Sequence, residues 1–270
     1  MKKSPIAQTG VAVTPIGLGT VKLGRNQGVK YPTSFKIPDD NAAANLIAHA
    51  KALGINLIDT APAYGTSEER LGKFIKGQRH DWVICSKVGE EFENGKSSFN
   101  FSPEFVQQSC HRSLQRLNTD YIDIMLVHSD GNDLHIINHY GILDVLAEFK
   151  KQGLIRAVGM STKTKAGGLL AAEKSDVVMV SYNIEFKDDE PIIDYCAAHN
   201  KGVLIKKAFS SGHICHNKSG NPVQDSIDLI FSKAGVTSII VGTINPQHLE
   251  EVVLLTNATK YLYPIPPFFY

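Results

Sequence analysis

Eight short apolar runs, separated by amphipathic stretches, are the feature of this sequence that most constrains its fold. Most of the runs are unbroken Val, Ile and Leu, and they do not alternate apolar with polar residues. That pattern is typical of strands that are covered on both faces, as in a parallel sheet. We predict strands over residues 16–21, 55–59, 82–87, 122–128, 155–160, 177–182, 202–207 and 238–242.

The stretches between these runs carry the spacing and the end signals of helices. One apolar stripe ends at Gly54, a favoured helix-terminating residue. The stripe consists of Ala43, Leu46, Ile47, Ala50 and Leu53. Ser102 is a predicted N-cap, followed by Pro103 in the first turn. Further helices are predicted over residues 142–152, 191–200, 222–234 and 246–257.

The regular alternation of strands and helices predicts the α/β class and a single (β/α)8 TIM barrel over residues 1–270. A chain of 270 residues suits one such domain. The alternative fold is an open, doubly wound sheet, but no Gly-x-Gly-x-x-Gly joins a strand to a helix. The tail, residues 261–270, is rich in proline and aromatic residues and can pack over the barrel or line the pocket; we expect it to pack over the barrel.

Charge and cysteine content bound the class of partner. With 28 Lys and Arg against 27 Asp and Glu, the net charge is +1, so we expect neither a nucleic-acid nor a membrane-surface partner. No apolar run approaches the ~18 residues of a membrane span, and the basic start lacks the apolar core of a signal peptide. Four scattered cysteines without a Cys-x-x-Cys pair indicate a reducing, cytoplasmic setting. We assign no metal site, and nothing indicates an oligomeric state.

One strand-to-helix junction, residues 55–69, presents an acid and a phenol together. The predicted strand ends in Asp59, and Tyr64 follows in the loop. Thr66 and Glu69 fit a capping box, in which two side chains bond each other's backbone N–H groups at a helix start. Because parallel α/β proteins build their sites at the C-terminal ends of the strands, this loop is a candidate site.

Two further predicted strands also end in polar residues. The third ends in Lys87 and the fourth in His128, so both are expected at the same rim as Asp59 and Tyr64. Taken singly, each has an ordinary structural role, since a strand-end acid caps turns, a lysine reaches solvent and a histidine packs. Four suitable residues at neighbouring junctions favour a functional site. We interpret Cys85, two residues before Lys87, as a core residue and not as a redox sensor.

The loop after the second strand resembles the signature of the aldo-keto reductase family, Asp-Thr-Ala-x-x-Tyr-Gly-x-Ser-Glu. Residues 59–68 read Asp-Thr-Ala-Pro-Ala-Tyr-Gly-Thr-Ser-Glu and match every specified position. The resemblance extends over nearly all of the chain. It implies a barrel with an N-terminal hairpin at its bottom. It also implies reduction of a small aldehyde or ketone to an alcohol with NADPH, or alternatively NADH.

Asp59, Tyr64, Lys87 and His128 coincide with the catalytic tetrad of that family. A free tyrosine has a pKa of about 10 and is a poor proton donor at neutral pH. A nearby ammonium lowers that pKa, and a poorly solvated ammonium in turn requires a carboxylate. We therefore expect Asp59 to hold Lys87 and Lys87 to tune Tyr64, the proton donor. His128 is expected to orient the substrate oxygen through a hydrogen bond.

The resemblance also implies which residues hold the cofactor. Contacts are expected from Gly19, Thr20, Val21, Asp59, Ser161, Thr162, Lys206, Phe209, Ser211, Gly242, Thr243, Asn245, His248 and Glu251. Ser161 fits the family's carboxamide-binding serine, whereas Thr162 replaces an asparagine and Met179 a glutamine. Lys206 stands where the family stacks an aromatic ring on the nicotinamide. A solvated lysine and a lysine directed at the cofactor phosphates are both open there. Val21 replaces an aromatic residue of the substrate pocket, so substrate preference does not carry over.

The segment after the eighth strand suits an anion, because backbone donors at Gly242 and Thr243 precede a helix N-terminus. Other branches of the family place Lys and Arg where Gly242 and His248 lie, to bind the 2′-phosphate of NADPH. NADPH is still the first choice, because the family usually prefers it and Lys206 or Lys207 can compensate.

Two other interpretations stay open at this stage. A cofactor-binding regulatory subunit, similar to the family's potassium-channel β subunits, keeps the tetrad and acts by binding a partner. The departures at Thr162, Met179 and Lys206 also allow a barrel with a degenerate cofactor site.

Overall fold

Eight parallel strands close into a barrel in the computed structural model, which describes residues 1–216 and 220–262. The strands in chain order are β1 (Ser4–Pro5), β2 (Ala12–Val13), β3 (Ile16–Gly19), β4 (Leu57–Asp59), β5 (Val83–Val88), β6 (Glu90–Glu93), β7 (Lys96–Phe99), β8 (Ile122–His128), β9 (Ile155–Ser161), β10 (Val177–Ser181), β11 (Gly202–Lys206) and β12 (Ser238–Val241). The barrel runs through β3, β4, β5, β8, β9, β10, β11 and β12, and β12 pairs with β3 to close it. The predicted TIM barrel is confirmed, and the open sheet is wrong.

Helices occupy the connections between the barrel strands. They are α1 (Val21–Gly24), α2 (Asp40–Ala52), α3 (Ser67–Phe74), α4 (Pro103–Leu117), α5 (Asp133–Tyr140), α6 (Ile142–Lys151), α7 (Lys165–Lys174), α8 (Glu190–Ala198), α9 (Pro222–Phe231) and α10 (Pro246–Ala258). Short 3-10 turns span Pro62–Tyr64, Arg79–Asp81 and Ser210–His216. The Ser102 side chain caps α4, as predicted, by accepting a hydrogen bond from the Phe105 backbone N–H.

An antiparallel hairpin, β1–β2, covers the N-terminal end of the barrel. Ile6, Val11 and Val13 are buried against the barrel interior. That interior includes Leu57 and Val177, which are the first residues of their strands. The hairpin expected at the barrel bottom is therefore present.

The main core lies between the barrel and the surrounding helices. In the stripe predicted on α2, Ala43, Leu46, Ile47 and Ala50 are buried in this layer. Burial of an aliphatic side chain the size of leucine contributes about 1.5–3 kcal/mol. Leu53 is only partly buried, because it forms the C-cap where the chain leaves the helix.

The structure differs locally from the predictions at a hairpin that was not predicted and at several strand ends. A second hairpin, β6–β7, follows β5, and its turn at Asn94 and Gly95 has φ values of 50° and 78°. Asn-Gly between two strands is a strong hairpin signal, but β7 is exposed and polar and so lacks the apolar alternation that marks a strand. The first barrel strand is also shorter than residues 16–21, because Val21 already begins α1.

Two smaller expectations can be compared with the described residues, and a third falls mostly outside them. Cys85, Cys110 and Cys196 are free and buried, and Cys85 lies in the barrel interior as a core residue. Across residues 1–216 and 220–262, no helix has both the length and the apolar character needed to cross a membrane. Most of the tail expected to pack over the barrel, residues 263–270, lies outside the described residues.

Candidate active site

A cavity of about 1320 Å³ opens at the C-terminal end of the barrel, opposite the β1–β2 hairpin. The strand ends line it through Asp59 of β4, Lys87 of β5, His128 of β8 and Lys206 of β11. Tyr64, in the 3-10 turn after β4, lines it as well. The four residues expected to act together therefore share one cavity, because parallel strands bring their C-terminal ends to the same rim.

Lys87 and Asp59 form a buried ion pair in this cavity. Lys87 Nζ lies 2.5 Å from Asp59 Oδ1 and donates a second hydrogen bond to Thr60 O at 2.9 Å. Asp59 is 3% exposed and Lys87 1%, so the ammonium has almost no contact with bulk water. Burial is the largest single effect and acts to lower the pKa of Lys87, but the charge of Asp59, with smaller contributions from Tyr64, Cys85 and the hydrogen bond to Asp59, raises that pKa above its usual value. Lys87 is therefore a fixed positive charge.

The Tyr64 hydroxyl lies beside this pair. Tyr64 Oη is 3.4 Å from Asp59 Oδ2, a long hydrogen bond that the phenol donates. Lys87 Nζ is 4.7 Å from the centroid of the Tyr64 ring. The His128 ring meets the same ring edge-on, with 6.3 Å between the centroids. Acid, amine, phenol and imidazole thus form one cluster.

The pKa of Tyr64 is raised, and the expectation of a net lowering by Lys87 is wrong. Burial of the phenol is the largest cause, followed by the negative charge of Asp59, because both disfavour a phenolate. Lys87 does act in the expected direction, through its charge and a hydrogen bond, but it does not outweigh the other two. Tyr64 therefore keeps its proton across the ordinary pH range, and the ammonium of Lys87 makes the phenolate less unfavourable than burial and Asp59 alone would make it.

Two glycines hold the turn that carries Tyr64 against α1. A Cβ atom on Gly65, where φ is +61°, would lie 2.2 Å from Gly24 O. A Cβ atom on Gly24 would lie 2.2 Å from Tyr64 O. The predicted capping box is absent, since Thr66 makes no side-chain cap hydrogen bond at the start of α3. The backbone apposition of the two glycines therefore fixes the turn.

Glu90, the first residue of β6, is the partner of His128. Glu90 Oε2 lies 2.9 Å from His128 Nδ1, and both residues line the cavity. Sequence reasoning did not single out Glu90, because it belongs to the hairpin that the strand predictions missed. The Asn-Gly turn at residues 94–95 is the signal that could have located it.

Lys206 contacts the residues expected to bind the cofactor carboxamide. Lys206 Nζ donates hydrogen bonds to Ser161 Oγ at 2.9 Å and to Thr162 O at 2.7 Å, so it is not a solvated lysine. Burial, followed by the charge of Lys207, lowers the pKa of Lys206 to about 7. Thr162 Oγ1 is buried and has no hydrogen-bond partner among the described residues. Thr162 Oγ1 is thus an orphaned polar atom beside the cavity wall that Ser161 and Lys206 form.

The other expected cofactor residues line the cavity, with the exception of Thr20 and Asn245. Thr20 is fully buried, and its Oγ1 donates to Asp59 O at 2.8 Å. Asn245 caps α10, where its Oδ1 accepts a hydrogen bond from the Gln247 backbone N–H at 2.9 Å. The side chains of these two residues hold the rim together and do not face the cavity.

Tyr31 is a second phenol in the cavity, and no sequence pattern pointed to it. It lies in the irregular connection between α1 and α2, which has no periodicity that would predict its course. Lys22 Nζ is 4.1 Å from the centroid of the Tyr31 ring. Burial and then the charge of Asp59 raise the pKa of Tyr31 to about 12. Tyr31 therefore also stays protonated.

Lysines from three connections make part of the cavity lining electropositive. Lys30, Lys163 and Lys207 all line it. Burial is the largest cause of a lowered pKa at Lys207, and the charges of Lys30 and Lys163 lower it further. Amines that disfavour one another's charge stabilise a bound anion, such as a phosphate group.

A closed parallel barrel whose polar side chains gather at the C-terminal rim is an architecture that many enzymes share. The chain belongs to the aldo-keto reductase family, since the sequence model described as "Aldo/keto reductase family" matches residues 15–226. A crystal structure of a putative aldo-keto reductase from Pseudomonas aeruginosa is 53% identical, with a TM-score of 0.85 over 94% of this chain and 93% of that chain.

Two curated proteins illustrate the relatives of this chain. The Bacillus subtilis protein named uncharacterized oxidoreductase YqkF is 27% identical over 96% of this chain and 92% of that protein. The NADH-specific methylglyoxal reductase of Escherichia coli is 35% identical over 59% of this chain and 51% of that protein.

Proposed function

We propose that this protein reduces a small aldehyde or ketone to an alcohol with a nicotinamide cofactor, with Tyr64 as the proton donor. The observation that carries the proposal is the buried Asp59–Lys87 pair beside the Tyr64 hydroxyl, inside a cavity large enough for a dinucleotide and a small substrate. Three buried cysteines that stay free support a reducing, cytoplasmic location.

The cavity suits a nicotinamide dinucleotide. When bound, the cofactor supplies a hydride to the carbonyl carbon. Ser161 and the unpartnered Thr162 Oγ1 would hold its carboxamide, with Lys206 fixing the Ser161 hydroxyl. Gly242 and Thr243, ahead of α10, would hold its phosphates together with the nearby lysines.

The side chains divide the remaining work between them. Tyr64 gives its proton to the carbonyl oxygen as negative charge builds there. Lys87 stabilises the phenolate that remains, because its ammonium lies close to the ring and cannot move away from Asp59. His128 holds the substrate oxygen in place through the ring nitrogen that does not contact Glu90.

NADPH is the proposed first cofactor and NADH the alternative. The lysines at positions 30, 163 and 207 favour the cofactor with the additional phosphate group. The name of the E. coli relative marks that protein as NADH-specific, so both cofactors belong in any assay.

The first test replaces Tyr64 with phenylalanine. We expect Tyr64→Phe to lose at least about a hundredfold in kcat, because general acid catalysis contributes roughly 10²–10⁴-fold. Cofactor affinity should stay within about threefold of wild type, since no cofactor contact is assigned to the hydroxyl. Turnover is measured with a panel of aldehydes and ketones that includes methylglyoxal, and affinity by titration with NADPH and with NADH.

Tyr31→Phe is the matched control, because it removes the other phenol of the same cavity. It should keep most of the turnover. Full activity of Tyr64→Phe would remove Tyr64 as the acid, and an inactive Tyr31→Phe beside it would transfer that role to Tyr31. Wild-type protein that binds cofactor but turns over no carbonyl would favour the regulatory-subunit interpretation.

A further inference from the structure

The contact between Glu90 and His128 bears on which atom of the histidine faces the substrate. The Glu90 side chain is 11% exposed and that of His128 19%, so the pair is largely shielded from water. His128 Nδ1 lies 2.9 Å from Glu90 Oε2, an ion-pair contact in which the ring N–H is not aligned for a hydrogen bond, but at this distance a nitrogen without a proton would face the carboxylate with its lone pair. Nε2 is therefore the nitrogen left for a ligand in the cavity, and its protonation decides whether it donates or accepts a hydrogen bond.

Glu90 is held in place as a carboxylate. Ser97 Oγ, across the β6–β7 hairpin, donates to Glu90 Oε1 at 2.6 Å, and Arg25 Nη1 lies 3.5 Å from the same oxygen. Arg25 is itself anchored by a hydrogen bond to Ala63 O at 2.9 Å. Burial acts to raise the pKa of Glu90, but His128, Ser97 and Arg25 outweigh it and lower the pKa to about 2. Glu90 is therefore a carboxylate at neutral pH.

A carboxylate only accepts hydrogen bonds, so the facing Nδ1 of His128 must carry a proton. In the neutral ring the other nitrogen, Nε2, then has no proton and can only accept. Nε2 donates a hydrogen bond only when the ring is a doubly protonated imidazolium. A carbonyl oxygen needs a donor, whereas an alcohol hydroxyl can donate to a bare nitrogen.

We propose that Glu90 is a positioning residue that fixes a proton on Nδ1 of His128, so that the imidazolium form binds a carbonyl and the neutral form binds an alcohol. This inference rests on the proposed function and deepens it. One ionisation then favours reduction at lower pH and oxidation at higher pH. The hairpin that supplies Glu90 thereby sets the direction of the reaction that the site performs best.

The charged groups that face His128 all affect its pKa. Burial of the ring is the largest effect and lowers the pKa of His128; the carboxylate of Glu90 opposes it, and the ammonium groups of Lys87 and Lys206 add to it. The net pKa is below the usual value for histidine. Since the imidazolium is the form that gains activity in reduction, kcat/KM should fall as pH rises through this pKa.

The test compares pH profiles of kcat/KM for wild type, Glu90→Gln and Glu93→Gln. In wild type, kcat/KM for reduction should fall about tenfold per pH unit above the pKa of His128. In Glu90→Gln the amide can donate to Nδ1, which allows a neutral ring with the proton on Nε2, so the fall should disappear. Glu93, on the same strand but exposed, should keep the wild-type profile when replaced.

The three profiles distinguish control by Glu90 from titration of Lys206 and from a purely structural role of Glu90. Titration of Lys206, whose pKa is about 7, would give a similar fall, but that fall would survive in Glu90→Gln. A purely structural role for Glu90 would lower the rate equally at every pH. A fall that persists unchanged in Glu90→Gln, or a flat wild-type profile, overturns the inference.

Histidine ¹⁵N NMR of the wild-type protein gives a second measurement that needs no activity. The His128 signal, assigned by its loss in His128→Asn, should show the Nδ1–H tautomer in the neutral ring. An Nε2–H tautomer overturns the inference even if reduction is observed. Absence of carbonyl reduction at every pH would overturn the proposed function, while the tautomer would still decide the role of Glu90.

Discussion

At the scale of single residues, the central feature of the site is the ion pair of Lys87 and Asp59. Both side chains are almost completely shielded from water. Each charge is tolerable only because the other lies 2.5 Å away. Removal of one partner leaves a buried charge without compensation, which is far more unfavourable than loss of an exposed pair. The proposed role of Tyr64 and the stability of the fold therefore depend on the same two side chains.

Replacement of Lys87 with methionine tests this dependence. We expect Lys87→Met to abolish turnover while the cofactor still binds, and to lower the free energy of unfolding by about 3–5 kcal/mol. Asp59→Asn should reduce turnover less, because the ammonium beside Tyr64 remains. The measurements are kcat and urea unfolding.

Lys51→Met provides the matched control on the surface. Lys51 and Asp81 form a Lys–Asp pair of 2.6 Å, but the side chains are 45% and 37% exposed. Loss of such a pair changes stability by about 0–1 kcal/mol. Equal destabilisation by the two substitutions would show that burial of the Lys87 pair has no energetic effect.

For single residues, the sequence predicted site positions correctly where a chemically suitable side chain ends a predicted strand. Asp59, Lys87 and His128 each end a recognisable apolar run, so their convergence follows from the parallel barrel alone. The protonation behaviour of Tyr64 could not be predicted, because the effect of burial depends on how completely the surrounding side chains exclude water. Tyr31 escaped prediction because it lies in an irregular connection.

At the scale of elements, the turn that carries Tyr64 depends on backbone contact between Gly65 and Gly24. Gly65→Ala brings two penalties, a left-handed φ of +61° and a Cβ atom 2.2 Å from Gly24 O. We expect the turn to shift and the turnover to fall at least tenfold, because small displacements of a catalytic group have large effects on rate. The cofactor should still bind.

Gly77→Ala separates the two penalties. Gly77 has a φ of +78°, but a Cβ atom there meets nothing within 4 Å. It should lose roughly 1 kcal/mol of stability from backbone strain, with unchanged turnover. Similar kinetic losses in both variants would mean that strain, and not the contact with α1, disturbs the site.

The β6–β7 hairpin shows that the pattern of apolar residues predicts buried strands but not exposed ones. The buried barrel strands are mostly apolar, so their existence and order were predictable. The hairpin buries few side chains and is held by its turn and by polar contacts such as the hydrogen bond from Ser97 to Glu90. Turn chemistry at Asn94 and Gly95 was therefore the informative signal for this element.

At the scale of the whole molecule, the β1–β2 hairpin completes the barrel by filling its N-terminal end. Ile6 is fully buried against the barrel interior. We expect Ile6→Ala to lower the free energy of unfolding by about 2–5 kcal/mol, since the vacated space has little means of collapsing. Turnover at a temperature where the protein is folded should be unchanged, because the site lies at the other end.

Leu254→Ala is the comparison for this prediction, because Leu254 is 62% exposed. It should change the free energy of unfolding by no more than about 0.5 kcal/mol. Urea unfolding of both variants and of wild type decides the result. A loss below about 1 kcal/mol in Ile6→Ala would show that the hairpin contributes little to the barrel.

The hairpin at the bottom of the barrel also has an evolutionary consequence. The buried residues of that hairpin and the residues that line the cavity lie at opposite ends of the barrel, so substitutions in the upper connections can alter the cavity without disturbing the hairpin. Insertions or substitutions in the connections at the C-terminal end of the barrel can change which substrates fit, while the hairpin at the N-terminal end continues to stabilise the fold. Homologous chains can therefore differ in the residues of the cavity while the N-terminal end keeps the same barrel folded.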